Sequence, residues 1–294
     1  MTVSTYDNRP CFLGEGPLWH PEREQLFWFD IIGCKLLSRD GDTPLEWAFD
    51  RHVSAAGWID ANQLLIADEY GLFRFDLESG TETRVCEIEA DRSETRSNDG
   101  RADPWGGFWT STMGKAGETG LGGIYRWYRG ALRQLATGMT TPNAICFDQS
   151  RNCAYYADTR TRQILRQPLD PATGWPDGET SVFVDLRATD TAPEYRPDGA
   201  VIDSEGCLWN AQWGAARVAR YSPDGEFLTA IDLPTGHTSC PAFGGAAYKS
   251  LYVTTAQQNL PKDMPQWQAM AGQTFVMENA DPGKPEPAVF TAFA

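Results

Sequence analysis

Six short polar stretches stand at matching places along the chain: Glu15 in GEGPLW, His52 to Ser54 in RHVSAAGW, Arg96, Asn98 and Asp99 in RSNDGRAD, Asn143 in TTPNAICFD, Asp198 in RPDGAVID, and Ser239 and Cys240 in TSCPAFGG. Hard oxygen donors occupy four of them. Carboxylate and amide oxygens are the ligands that Ca2+, Mg2+ or Mn2+ take, whereas a zinc site more usually recruits His or Cys. Two carboxylates balance a dication, and an amide and water fill further positions. A cation so held can polarise a carbonyl or activate water. Singly, each stretch reads as a turn, since PDG and NDG are turn formers and Gly, Pro and Glu crowd exposed loops. The weight lies in their recurrence at one phase of a repeat.

That repeat is a strand meander. Short strand-like runs recur as QLFWFD, QLLIAD, GFWTST, CAYYAD, CLWNAQ and SLYVTT. Each follows another apolar run and a turn, and precedes a third strand candidate such as GLFRFDLESG, GIYRWYRG or RVARYSPDGE. The unit of three to four strands returns at roughly 37 to 53 residues, the range of propeller blades, and nothing shows sustained helical periodicity. The sequence therefore predicts an all-β, six-bladed β-propeller with a metal site at the mouth of its central channel. A sandwich is too small for six such units, and a parallel β-helix has a shorter repeat. The inner strand of every blade lines the channel, so polar residues just before the inner strands converge from distant parts of the chain. Ring closure falls to the N-terminal VSTYDN and the C-terminal run TFVMENADPGKPEPAVF.

With 294 residues and no Pro/Gly/Ser linker or charge block, the chain reads as one domain over residues 1–294. The opening MTVSTYDNRP lacks the basic start and apolar stretch of a signal peptide, and nowhere do about 18 apolar residues run together. A soluble, unexported, cytoplasmic protein that does not enter a membrane is the expectation. Seven scattered cysteines without a CxxC pair argue against a disulfide framework and against a thiolate zinc site. The formal net charge of −15 repels nucleic acid over most of the surface. His20, His52 and His237 form no HxH or HxxxH pattern and read as structural residues.

Rival chemistries lack their motifs. There is no GxSxG elbow, and GLGGIY lacks the spacing of a phosphate loop. The 11 tryptophans mostly sit at alternating strand positions and read as core, except Trp213, a candidate wall for stacking a sugar.

GEGPLW, SNDGRADPWGGFWTSTM, TTPNAICFD, YYADT, RPDGAVIDSEGCLW and TSCPAFGG with SLYVTTA resemble, in order, the signature segments of the SMP-30/gluconolactonase (regucalcin-like) family. The resemblance implies a lactonase of carbohydrate metabolism, acting on aldono-1,4- or 1,5-lactones, with one divalent ion: Ca2+, Zn2+, Mn2+, Mg2+ or Fe2+. It implies Glu15, Asn143 and Asp198 as metal ligands and Arg96 and Asn98 as substrate contacts. The small-molecule partner is then a sugar lactone. After Thr112 and Met113 the chain departs from the animal members, which carry an acidic substrate contact there. Here the segment reads TMGKAGETG, with Lys115 and Ala116 in that neighbourhood and Glu118 slightly later. Lys115 could meet an acid group on the substrate or be a solvated loop residue.

Lactone hydrolysis needs a nucleophilic water and a place for charge on the former carbonyl oxygen. The expected mechanism has the metal polarising the carbonyl, Asp198 as general base, and Arg96 and Asn98 holding sugar hydroxyls. Asp99 is expected to orient its own turn. Two competing readings are a non-enzymatic calcium-binding propeller and an aryl-ester or organophosphate hydrolase on the same scaffold.

Overall fold

The structure is a computed structural model describing residues 2–188 and 194–290. The described residues build six four-stranded antiparallel sheets, the blades of a six-bladed β-propeller. Blades 1 to 5 cover residues 14–48, 53–87, 95–139, 142–185 and 196–232. Within each, strands pair in sequence order, because the short Gly- and Asp-rich turns between them permit only antiparallel neighbours. Blade 6 takes its three inner strands from residues 238–278 and its outermost strand, Val3–Asp7, from the other end of the chain. In that seam Thr5 lies opposite Phe275. Trp19 of blade 1 stacks on Tyr252 of blade 6 with ring centroids 5.6 Å apart.

Burial falls from the channel outward. The inner strands Thr95–Ala102, Pro142–Asp148 and Thr238–Gly244 are buried at every residue. The outermost strands Thr43–Ala48, Glu82–Glu87 and Phe227–Asp232 have no buried residue. The apolar faces meet between blades. Phe27 and Phe29 pack with Leu64, Ile66 and Phe73 across blades 1 and 2, and Trp209 packs with Phe243 and Leu251 across blades 5 and 6. Each such side chain contributes about 1.5–3 kcal/mol by leaving water. Trp28, Trp109, Trp127 and Trp209 are fully buried, as the core reading of the tryptophans expected.

All six inner strands carry the same irregularity. Their pairing slips by one residue between Glu15 and Leu18, Val53 and Ala55, Ser97 and Gly100, Asn143 and Cys146, Pro197 and Ala200, and Thr238 and Cys240. The sequence reading placed the polar residues just before these strands. All but His52 lie inside them, at the bulge, because the ladder continues to the channel mouth: Gly14 still pairs with Asp30 and Glu15 with Phe29. A bulge re-aims the side chains beside it without ending the strand.

At the far mouth the C-terminal segment crosses the channel rather than adding a strand beyond Thr274–Glu278. Trp58 Nε1 donates to the Glu286 carbonyl at 2.8 Å, the Val289 amide donates to the Trp58 carbonyl at 2.8 Å, and the Glu286 carboxylate pairs with buried Arg101. No helix among the described residues is long and apolar enough to cross a membrane. The seven cysteines are free, five of them buried.

Candidate active site at the channel mouth

The inner strands all start at one mouth, and there the bulges bring together what the sequence keeps far apart. Glu15, Arg96, Asn98, Asn143 and Asp198 line one cavity of about 520 Å³, with Trp213 on its wall. A second cavity of about 550 Å³, at the far mouth, is lined instead by the other ends of the inner strands and the C-terminal tail. It offers no pair of facing carboxylates.

Glu15 owes its direction to its two glycine neighbours. Gly16 adopts φ +53°, and a Cβ there would stand 2.2 Å from the Ser54 carbonyl oxygen. A Cβ on Gly14 would stand 2.5 Å from the Thr255 carbonyl oxygen. Only glycine allows both the left-handed bend and the close approach of blade 6. The Gly16 amide then donates to Glu15 Oε2 at 3.0 Å.

The remaining polar groups form a chain of hydrogen bonds across blades 3, 4 and 5. Arg96 donates to Asn98 Oδ1 at 2.9 Å, and Asn98 Nδ2 donates to Asn143 Oδ1 at 2.9 Å. Asn143 Nδ2 donates to Thr159 Oγ1 at 2.8 Å, and Thr159 donates to the Pro197 carbonyl at 2.7 Å. Asn210 holds the Asp198 carbonyl from behind at 2.9 Å. These bonds fix the amide flips of both asparagines and leave a second lone pair on Asn143 Oδ1 facing the cavity. Arg96 Nε has no hydrogen-bond partner among the described residues.

Electrostatically the two buried carboxylates, Glu15 and Asp198, are not offset by the one buried guanidinium beside them, Arg96. Burial, then the neighbouring Asp99 carboxylate, raises the carboxyl of Glu15 above its ordinary range. Burial, then Glu15, then Asp99 raises that of Asp198 as well. Burial lowers the Arg96 guanidinium to about 10. Two buried carboxylates on one cavity repel, and a hard divalent cation bound between them removes that cost. The donor set of two carboxylates and one amide oxygen therefore fits such a cation.

The other phase positions serve elsewhere. Ser54 donates to Ser97 Oγ at 2.8 Å, and Ser239 donates to the Gly14 carbonyl, so both knit neighbouring inner strands. Asp99 Oδ2 accepts from the Ile145 amide at 2.8 Å, tying blade 3 to blade 4. His20 and His237 bond to backbone carbonyls, His237 also stacking on Trp213 at 4.0 Å. That stacking leaves the indole one face for a ligand. Lys115 pairs with Glu69, which also pairs with His52, and Glu118 Oε2 accepts from the Ala116 amide at 3.0 Å. Neither Lys115 nor Glu118 lines the cavity. A further acidic group, Asp203, Glu205 and Cys207, belongs to a hairpin turn. Its Asp203 oxygens already accept from the Cys207 amide, Trp209 Nε1 and Arg220. Sequence reading missed three arginines on the cavity wall, Arg160, Arg162 and Arg196. The TRTR run after YYADT, at a hairpin on the channel side, was the available signal.

Fold and site together define a six-bladed propeller with an acid-and-amide cluster at the channel mouth. The family model described as SMP-30/Gluconolactonase/LRE-like region matches residues 13–257, and the chain belongs to that family. It is 31% identical to the 6-deoxy-6-sulfogluconolactonase of Pseudomonas putida, over 97% of this chain and 98% of that protein. It is 34% identical to the L-arabinolactonase of Azospirillum brasilense, over 92% and 90%. Among solved structures, a protein of Agrobacterium tumefaciens str. C58 described as the calcium-binding protein regucalcin superposes with a TM-score of 0.93 at 35% identity, covering 98% of this chain and 97% of that one.

Proposed function

We propose that the protein hydrolyses a sugar lactone to the corresponding aldonic acid with the help of one divalent cation. The observation that carries this reading is the convergence of Glu15, Asn143 and Asp198 with Arg96 and Asn98 on one sugar-sized cavity. Relatives named as lactonases of several sugars support it. Glu15, Asn143 and Asp198 would hold the cation, which supplies Lewis-acid polarisation of the lactone carbonyl.

The chain's own groups do the rest. Asp198 takes a proton from the attacking water as general base. Asn98 and Arg96 hold the sugar hydroxyls, Asn98 by accepting through Oδ1 because both its amide hydrogens are taken by Asn143 and the Pro142 carbonyl, and Arg96 donates toward the charge developing on the former carbonyl oxygen, a donor of a kind typically worth about 2.7–4 kcal/mol. Ring opening then takes a proton back onto the leaving alkoxide.

Hydrolysis releases acid, so a pH-indicator assay over a panel of aldono-1,4- and 1,5-lactones tests the reading. Turnover should vanish with a chelator and return with one of Ca2+, Zn2+, Mn2+, Mg2+ or Fe2+. A protein that binds the ion but hydrolyses no lactone is a binding propeller, and one whose turnover ignores the chelator needs a different mechanism.

A further inference from the structure

We infer that the lactone this protein takes carries a negatively charged group, a carboxylate or a phosphate ester, at the end away from the ring carbonyl. The inference rests on the lactonase reading and adds the substrate class. Its ground is the wall formed by Arg160, Arg162 and Arg196, which shares the cavity with Glu15 and Asp198.

The three guanidiniums are not balanced locally. Arg162 donates to the backbone carbonyls of Tyr195 at 3.2 Å and Leu186 at 2.9 Å, which sets its direction. It shares the single carboxylate of Glu194, at 3.5 Å, with Arg196, at 3.2 Å. The exposed Arg160 has its backbone amide fixed to Asp158 at 3.1 Å, and its guanidinium pairs with no described residue. Among the described residues, three cations against one carboxylate leave a positive wall on a chain whose formal net charge is −15. A dication held by Glu15 and Asp198 would match their negative charges and leave the wall unneutralised.

The chemistry of the side chain narrows the ligand. Sugar hydroxyls both donate and accept, so one arginine such as Arg96 can serve a neutral sugar, but three more guanidiniums exceed what its hydroxyls need. Arginine only donates, and its planar fork suits a group that only accepts, a carboxylate or a phosphate. The positive wall also offsets the repulsion that the acidic surface imposes on an approaching anion. Lys115 is not part of this device, since Glu69 already holds it.

The test compares kcat/KM for D-glucaro-1,4-lactone, which ends in a carboxylate, with that for D-glucono-1,4-lactone, its neutral counterpart of the same ring size. A second pair, 6-phosphoglucono-1,5-lactone and glucono-1,5-lactone, separates phosphate from carboxylate. In at least one pair the anionic lactone should be preferred by roughly tenfold or more, the scale of one charge-assisted hydrogen bond. Arg160→Ala and Arg196→Ala should each cut that preference through KM, Arg160→Lys should keep part of it, and Arg151→Ala at the far mouth should leave it alone. A wild-type preference of one or less in both pairs, or one unmoved by the two alanine variants, overturns the inference and leaves the lactonase reading standing. Absence of turnover on every lactone overturns the lactonase reading instead, and thermal shifts with the same pairs then decide the wall. A larger shift with the anionic member, lost in Arg160→Ala, supports it, and equal shifts overturn it.

Discussion

Asn98 Nδ2 donates to Asn143 Oδ1 across 2.9 Å, so an amide of blade 3 fixes the orientation of an amide of blade 4 at the channel mouth. The bond leaves Asn143 with one lone pair turned to the cavity. The other Asn98 N–H goes to the Pro142 carbonyl at 3.0 Å, so the amide is spent on supporting its neighbours and only its Oδ1, beside Arg96, remains for a ligand.

Replacing Asn98 should therefore do two things. Asn98→Ala is expected to lower kcat by about 10²-fold, the scale of misplaced neighbours, because Arg96 and Asn143 both lose the amide that orients them. It should also weaken binding of the activating cation, read by titrating the chelated protein. A drop in kcat with unchanged metal affinity would show that Asn143 needs no such support.

Asp198→Asn separates function from stability. The amide cannot take a proton, so turnover should fall at least about 10²-fold. Because burial and the facing carboxylate oppose ionisation of Glu15 and Asp198, removing one charge should leave the melting temperature of the chelated protein unchanged or higher. Near-wild-type turnover in this variant would sink the assignment of the base.

Two glycines with nearly the same backbone angle make a matched comparison. Gly16 has φ +53° with the Ser54 carbonyl oxygen in the way of a Cβ, whereas Gly41 has φ +55° and open space. Gly41→Ala should cost only the left-handed backbone, about 1–2 kcal/mol. Gly16→Ala adds crowding, for a total of about 2–5 kcal/mol, and should also misdirect Glu15. Equal losses in urea unfolding would mean that the backbone between blades 1 and 2 yields freely.

Acid sensitivity has a source away from the carboxylates. Burial, outweighing the hydrogen bond to the Gln258 carbonyl, lowers His237 to about 4 from its ordinary 6.5. The unfolded chain thus takes up this proton first, so the stability it contributes is present above pH 6.5 and drains away as the pH falls toward 4. The share of the unfolding free energy owed to His237 should decline from pH 6.5 to about 5, against the opposite contribution of Glu15 and Asp198, which the fold holds above their ordinary range. That decline should be missing in His237→Gln, and parallel profiles for the two proteins would exclude this histidine as the cause.

The blades, their number and the phase at which polar residues recur were legible in the sequence. Strand alternation and turn chemistry are local, and each of the six repeats states them afresh in runs such as QLFWFD and CAYYAD. The same locality exposed Glu15, Arg96, Asn98, Asn143 and Asp198. Only the closed ring decided the rest. That Val3–Asp7 completes blade 6 while the segment after Glu278 crosses the far mouth depends on which edge is left open when the circle closes. The bulges that set the polar residues inside the strands arise from pairing with the next strand, and GEGP alone does not reveal its partner. Whether a loop cation is free or held was equally invisible: Lys115 stood beside a family motif and proved to be held by Glu69, while Arg160 lay in an ordinary hairpin and reached the cavity. Local preferences set which way a side chain points along its strand, and only the tertiary structure sets what it meets there.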